Sequence, residues 1–320
     1  MIIMRIKRIT IYLLLIALFV CCVYFLWYRS TEAPIFSDNR QTITPSELIK
    51  NEEHSISDKL VPVDGTVGSG MDSNSLSKVI QKSVKDAKVI SINGEVNMGV
   101  TSHHLPTASP LIGEFFRTLE ENAGNRKVFV VLSPDHYEKC QGVISVTSRS
   151  YSTPFGELKN NTAISDALVR AGAVVDNTCF TDEHGITVLA NYIKYLYPDA
   201  EIVPIVISMK ANDQEEKFLV DFLNGYKDNI FILGSIDFNH YNSLAEANAS
   251  DVKAAAVISS MESKNITREM VDSPGSMRVV MDVAKQWGRK PSILRKANSY
   301  EFVGLPENTT SYMNVIFIGK

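Results

Sequence analysis

The six histidines of this 320-residue sequence are the side chains whose positions best indicate chemistry. Three of them follow the ends of apolar, strand-like segments: His103 follows NMGV, His136 follows KVFVVL, and His240 follows NIFILG. Because the carboxyl ends of parallel strands lie along one edge of a sheet, we expect these imidazoles to converge. A single histidine in a polar loop means little, but three at equivalent positions favour a common site.

Acidic residues accompany these histidines, and a fourth histidine, His184, directly precedes a predicted helix. The acidic neighbours are Asp135, Asp182, Glu183 and Asp237. Neutral imidazole and carboxylate form the ligand set of zinc and of non-haem Fe(II) sites, and nearby carboxylates orient such ligands. The sequence has no glycine-rich dinucleotide motif, Walker A motif, H-E-x-x-H or G-x-S-x-G that would indicate a different chemistry.

Strand-like and helical segments alternate after Lys85. Strands are predicted at 88–92, 97–100, 127–132, 201–208, 229–234 and 312–319, and helices at 109–122, 163–172, 185–196, 214–226, 243–262 and 275–287. Fully apolar strands between helices indicate an α/β layered domain, in which a mostly parallel central sheet is flanked by helices. Pro204 predicts an edge position or a bulge for its strand.

The N-terminal region predicts one transmembrane helix before this domain. The segment from Thr10 to Trp27 carries no charge, and its length of about 27 Å nearly spans a bilayer core. Basic residues precede it, which predicts a signal-anchor at 10–28, a cytoplasmic N-terminus (1–9) and an extracytoplasmic soluble domain. A cleaved signal peptide is the alternative, although the segment is long for one and no A-x-A-like site follows it.

Residues 29–85 are predicted to be a linker that contains His54 and a short amphipathic helix at 72–86. The α/β domain is predicted to occupy 86–320. The net charge of −4, with no basic stripe, argues against nucleic acid as a partner.

Two of the four cysteines lie near the predicted histidine site. Cys140 follows His136 by four residues, and Cys179 precedes His184 by five. If both turns border one pocket, the thiols could form a disulfide in an oxidising compartment. Two unrelated buried thiols are the alternative.

A series of short motifs resembles the Memo family, whose bacterial and archaeal members are called AmmeMemoRadiSam system protein B. In chain order the motifs are TSHHLP, LSPDH, TPFGEL, DEHGI, EIVPIVI, GSIDFNH, ANS and a late SY. No single motif is specific to the family, but the occurrence of all eight in this order over about residues 86–320 is specific to it. The family is similar in fold to the class III extradiol dioxygenases, which are non-haem Fe(II) enzymes.

The resemblance implies two histidine ligands, His103 and His136, and a third ligand in the segment ANSYEFVGLPEN. Animal Memo proteins carry a cysteine in that region, and this segment has none. Many bacterial members show an acidic residue after A-N-S, so Glu301 is the expected third ligand and Glu307 the alternative. A triad of two histidines and one carboxylate would suit Fe(II).

The resemblance also assigns roles to the remaining polar residues of the pocket. His240 would stand where the dioxygenases have a general base, and Asp237 would orient it or a ligand. His184 would line the pocket, and His104 could replace its neighbour as a ligand.

These expectations describe a metal-dependent oxidoreductase of dioxygenase type that uses Fe(II), with Cu or Zn as alternative metals. A non-catalytic domain that binds a metal, a small molecule or a peptide is a second hypothesis, and a metal-assisted hydrolase is a third. The sequence identifies neither the ligand nor the oligomeric state.

Overall fold

The computed structural model describes residues 61–62, 72–124 and 127–319. The eight helices of these residues are α1 (Ser73–Lys85), α2 (Ser109–Asn122), α3 (Thr162–Ala171), α4 (His184–Leu196), α5 (Asp213–Asn224), α6 (Leu244–Ser260), α7 (Pro274–Gln286) and α8 (Ser299–Val303). The eleven strands are β1 (Val61–Pro62), β2 (Glu95–Thr101), β3 (Val128–Pro134), β4 (Ile144–Val146), β5 (Tyr151–Thr153), β6 (Gly156–Asn160), β7 (Val174–Val175), β8 (Glu201–Ile207), β9 (Phe231–Ser235), β10 (Lys290–Asn298) and β11 (Ser311–Gly319).

The strands form one sheet in the order β1-β5-β6-β8-β3-β9-β2-β11-β10, and off this path β4 pairs with β8 and β7 pairs with β4. The five strands from β6 to β2 in this order are parallel to one another. Strand β11 is antiparallel to β2, and β10 is antiparallel to β11. The expected α/β layered fold with a central sheet is therefore confirmed.

The sheet is buried on both faces because alternate side chains of each strand point to opposite sides. In β3, Phe129 and Val131 join the apolar core under α1, α2 and α4. Val130 and Leu132 join the opposite core, under α3, α5, α6 and α7. Two helical layers thus leave the carboxyl edge of the parallel strands as the place where loops can form a site.

Strand β8 contains Pro204 and lies inside the sheet, not at the predicted edge. On one side it pairs with β3 along its whole length. On the other side, β6 pairs with Glu201 and Ile202, and β4 pairs with Ile205–Ile207. Neither strand pairs with Pro204, so the missing proline N–H falls where the neighbouring strand changes.

Helix α1 confirms the amphipathic helix expected near 72–86. Asp72 caps it by accepting the main-chain N–H groups of Asn74 and Ser75, and Leu76 and Ile80 are buried against α2. Helix α1, which lies within the range predicted as linker, is therefore packed into the core of the domain.

The predicted strand at 88–92 does not form. Ile90 N–H donates to Thr118 Oγ1 at 3.3 Å, and Ile92 N–H donates to Asn122 Oδ1 at 2.9 Å. Side chains of α2 therefore accept the main-chain N–H groups that a neighbouring strand would otherwise bind, and no strand pairs with this segment.

Several predictions concern residues outside those the structure describes. They are the cytoplasmic N-terminus (1–9), the anchor (10–28), the linker up to residue 60, and His54. Among the described residues, no helix combines the length and apolar character needed to cross a membrane.

Candidate metal centre

His103 follows β2 and is buried at the carboxyl edge of the sheet. Its Nδ1 lies 3.0 Å from Oγ of Ser235, the last residue of the neighbouring strand β9. That hydroxyl donates its only hydrogen to the carbonyl oxygen of Gly185, at 2.5 Å. The Ser235 oxygen must therefore accept from His103 Nδ1–H, so in the neutral imidazole the lone pair lies on Nε2.

His136 follows β3, on the other side of β9, and is oriented in the same way. Its Nδ1 lies 2.5 Å from Oε1 of Glu183, and its main-chain N–H donates to Oε2 at 3.1 Å. Glu183 is buried and also caps α4 by accepting Gly185 N–H. A carboxylate can only accept from Nδ1–H, so His136 also presents Nε2 to the site.

Asp272 supplies a carboxylate oxygen on which three imidazoles converge. Its Oδ2 lies 3.3 Å from His103 Nε2, 3.6 Å from His136 Nε2 and 3.9 Å from His240 Nε2. Its other oxygen accepts the main-chain N–H of Asp237 at 3.1 Å. Among the described residues, Asp272 Oδ2 and His240 Nε2 are both buried without a hydrogen-bond partner.

This arrangement fits a divalent cation. Ligands about 2.1 Å from a tetrahedral metal lie about 3.4 Å from one another, close to the two shorter spacings around Asp272. Ring nitrogens of His103, His136 and His184 also lie within 4.8 Å of one another, as do ligand atoms of His103, Asp237 and Asp272. A buried carboxylate oxygen without a hydrogen-bond donor is the kind of group that a metal satisfies.

The charges of the cluster are strongly coupled. Burial alone would lower the pKa of His136, but the carboxylates of Asp272 and Glu183 outweigh it and raise that pKa to about 10. Burial and the charges of His103 and His136 lower the pKa of His184 to about 2. Burial would raise the pKa of Asp272, but the facing imidazoles hold it well below its usual range. In the metal-free protein a proton on His136 therefore balances the carboxylates, and a metal would have to displace it.

His240 lies at the side of this cluster. Burial by itself would lower its pKa, but the carboxylates of Asp272 and Asp237 outweigh burial and raise it. Asp237 chiefly orients His103, because its Oδ1 accepts from Ser102 Oγ at 2.5 Å and from the His103 main-chain N–H at 3.3 Å.

The other predicted pocket histidines are also at the site, but they differ in their contacts. The ring of His184 lies 3.9 Å from that of His136, centroid to centroid, and its Nδ1 is 3.3 Å from Tyr137 Oη. His104 Nδ1 instead pairs with Tyr312 Oη at 2.7 Å, and His104 belongs to neither group of converging ligand atoms. Of the two adjacent histidines, His103 is therefore the one placed as a ligand.

Glu301 is not brought to His103 and His136, which differs from the predicted triad. It lies in the first turn of α8, where Asn298 caps its main-chain N–H at 3.2 Å, and its exposed carboxylate pairs with Arg295. The alternative, Glu307, lines the cavity but is in neither group of converging atoms. The carboxylate beside the two histidines belongs to Asp272.

Sequence reasoning did not find Asp272. It stands just before Pro274, where an acidic residue indicates only the start of a helix. In the structure, Phe238 and Val271 form an antiparallel bridge, and Asp272 N–H donates to the Asp237 carbonyl oxygen at 3.0 Å. This long-range pairing places its carboxylate at the end of β9.

Two acidic residues predicted near the site stabilise its loops instead. Asp135 accepts the main-chain N–H groups of Lys139 and Cys140, both at 3.0 Å, and Asp182 pairs with the Lys139 ammonium at 2.8 Å.

Of the two possibilities for the cysteines near the site, the disulfide is confirmed, because Cys140 and Cys179 are bonded.

A cavity of about 590 Å³ opens over the cluster. Its inner surface carries the imidazoles, and its outer wall carries exposed Tyr137, Tyr241, Val303 and Leu305. Among the lining residues of this cavity there is no lysine or arginine. The cavity therefore gives a small molecule access to the histidine side of the cluster.

A family model of Memo-like proteins matches residues 70–316. The chain belongs to the Memo-like family. A MEMO1 family protein of Saccharolobus islandicus is 30% identical over 61% of this chain and 73% of its own length. Another, from Pyrobaculum aerophilum, is 23% identical over 71% of this chain and 85% of its own. The crystal structure of an uncharacterised Escherichia coli K12 protein, JW3007, aligns with a TM-score of 0.44 and 12% identity, over 70% of this chain and 100% of that one.

Proposed function

We propose that this Memo-like protein holds Fe(II) between His103 Nε2, His136 Nε2 and the Asp272 carboxylate, and that it is an oxidoreductase of dioxygenase type. The observation that carries the proposal is the convergence of both Nε2 atoms on Asp272 Oδ2, at 3.3 and 3.6 Å. Two histidines and one carboxylate on one side of a metal are typical of non-haem Fe(II) oxygenases.

The residues around the two histidine ligands fix the orientation of their rings for metal binding. Ser235 and Glu183 each accept an Nδ1–H, which fixes the ring orientations and directs both Nε2 lone pairs to one point. A bound Fe(II) would supply open coordination positions for oxygen and substrate. His240 lines the cavity, and its Nε2 is 3.9 Å from Asp272 Oδ2 without a hydrogen-bond partner among the described residues. It is therefore placed to take a proton from a bound ligand and to return it.

A second candidate function follows from His184. Its imidazole is neutral and belongs to the group formed with His103 and His136. If it completed the coordination, three histidines would favour zinc with a bound water in the fourth position. The protein would then be a metal-assisted hydrolase or a metal-binding domain without redox chemistry.

Elemental analysis of the full-length chain, purified without oxygen, separates these functions. We expect one equivalent of iron in the wild type, a loss of iron in His136→Ala and Asp272→Asn, and retention in the matched control His184→Ala. Zinc that is lost in His184→Ala would favour the second candidate. No metal in the wild type, after reconstitution with Fe(II), Cu and Zn, would overturn the metal centre.

We further propose that the chain is a single-pass membrane protein with its N-terminus in the cytoplasm and its metal domain outside. The uncharged segment 10–28 after a basic N-terminus supports this topology. The disulfide of the domain supports it too, since disulfides persist in oxidising compartments. Protease added to intact cells should digest the metal domain, whereas protection of the domain from protease would contradict the proposal.

A further inference from the structure

Two irregular loops carry His136 and its carboxylate partner. The His136 loop (135–143) follows β3, and the Glu183 loop (176–183) precedes α4. Neither contains residues of a helix or a strand. Because no ladder of backbone hydrogen bonds fixes these loops, their relative position depends on the contacts between them.

Non-covalent contacts between the loops occur along their length. At the pocket end lies the imidazole–carboxylate pair described above. Next to it, Lys139 and Asp182 form an ion pair at 2.8 Å, but both side chains are at least half exposed, so this pair adds little. At the far end, Gln141 N–H donates to Asp176 Oδ2 at 3.0 Å.

The disulfide between Cys140 and Cys179 joins the same two loops, and within the described part of the chain it is the one covalent cross-link. Each half of it is anchored to its own loop. The main-chain N–H of Cys140 donates to Asp135 Oδ2 at 3.0 Å, and that of Cys179 donates to Asp176 Oδ1 at 3.3 Å. A displacement of one loop is thus transmitted to the other within a few residues of the metal ligand.

The backbone of the His136 loop also indicates that tertiary contacts hold it. Glu138 lies midway between His136 and Cys140 and has a φ of +51°. A residue with a side chain adopts this left-handed conformation at a cost, and it persists when the surrounding structure imposes it. The disulfide is one of the contacts that hold this loop.

We propose that the Cys140–Cys179 disulfide positions the metal centre, and that its reduction lowers the affinity for metal by releasing the His136 loop from the Glu183 loop. The inference rests on the proposed metal site. A dithiol reductant would supply two electrons and two protons, so that the S–S bond breaks, two cysteine thiols form, and the reductant becomes a disulfide. The metal site would then respond to the redox state of its compartment.

The test compares Zn(II) affinity in the oxidised and reduced full-length chain. Zinc is the probe because it is not itself redox-active. The disulfide is reduced with a phosphine that is removed before chelator competition, and hydrogen–deuterium exchange is followed on both samples. We expect reduction to weaken zinc binding roughly 10- to 100-fold, the range for lost orientation of a ligating histidine. Exchange should increase most in 135–143 and 176–183, beyond any increase in β3 and β9.

Three comparisons make the test specific. Reoxidised wild type should regain its affinity, and Cys140→Ser/Cys179→Ser should bind zinc like the reduced protein with or without reductant. The matched control Cys21→Ser/Cys22→Ser retains the disulfide and should still respond to reduction.

The outcomes separate this proposal from the proposed function. Equal zinc affinity in the oxidised and reduced forms, with exchange in both loops unchanged, overturns the positioning role but leaves the metal centre standing. No binding of zinc, Fe(II) or Cu by the oxidised chain overturns the metal centre itself. An increase in exchange that is no larger in these two loops than in the rest of the domain would show general destabilisation alone and would also overturn the positioning role.

Discussion

Replacing Asp272 by asparagine should change the protonation of His136 in the metal-free protein. The substitution keeps the size of the side chain but removes the negative charge 3.6 Å from His136 Nε2. Opposite unit charges at that distance attract by about 4.6 kcal/mol at an effective dielectric constant of about 20, which corresponds to a change in proton affinity of somewhat more than about a thousandfold. We therefore expect the pKa of His136, raised to about 10 in the wild type, to fall by about 3 in Asp272→Asn.

The sign of this effect follows from the charge that each group carries. The Asp272 carboxylate favours the imidazolium form of His136, so its removal favours the neutral imidazole. Glu183 remains hydrogen-bonded to Nδ1 in the variant, and it should keep the pKa of His136 above that of His184.

NMR titration of the imidazole C–H signals in metal-free wild type and variant measures this change directly. Glu301→Gln provides the matched control, because Glu301 is a carboxylate paired with Arg295 and absent from the cluster. It should leave the titration of His136 unchanged. A pKa of His136 that is the same in Asp272→Asn and wild type would refute the placement of the carboxylate beside the imidazole, and with it the proposed ligand set.

Three further predictions concern other parts of the domain. Cys140→Ser/Cys179→Ser should lower the free energy of unfolding by about 4 kcal/mol, because the disulfide closes a separation of 39 residues; an unchanged urea midpoint would contradict this. Burial raises the pKa of Asp251 from its ordinary value of 3.8 to about 6, so the stability linked to its protonated form is present below 3.8 and is lost as the pH rises through about 6. Asp251→Asn should therefore be more stable than wild type by about 3 kcal/mol at pH 7 and by less than about 1 kcal/mol at pH 4 in urea denaturation; a gain that is equal at both pH values would refute the assignment. Glu301→Ala should retain the metal stoichiometry of the wild type, and since its ion pair with Arg295 is largely exposed, stability should change by less than about 1 kcal/mol; loss of metal would restore Glu301 as a ligand.

Much of the fold could be predicted because the strands are apolar on both faces. The segments at 127–132 and 229–234 lie in β3 and β9, and their buried side chains contribute to cores on both sides of the sheet. The segment at 88–92 is also rich in β-branched apolar residues but forms no strand, because side chains of α2 accept its main-chain N–H groups. Pro204 likewise indicated a sheet edge or a bulge, but its pairing with β3 is unshifted, and the change of strand on its other side makes an interior position possible. A local pattern does not contain either of these contacts.

The candidate site shows the same division. That His103 and His136 lie together could be expected, because each follows a parallel strand and β9 separates those strands by one position. The partners of their Nδ1 atoms could not be predicted in this way, because Glu183 is separated from His136 by 47 residues of sequence. Its acidic character was noticed in the sequence, but its role as an acceptor depends on where α4 begins.

The sequence alone determined the layered α/β fold, the family, and the edge of the sheet where the histidines gather. Periodicity and the chain order of motifs encode these features, and both survive without knowledge of any long-range contact. Only the tertiary structure decided that Asp272 and not Glu301 faces the histidines, and that Cys140 bonds to Cys179. The physical reason is that the direction of a loop side chain depends on the contacts its loop makes. For Asp272 these are a bridge and two hydrogen bonds to the segment after β9, and for Glu301 they are a helix cap and an arginine.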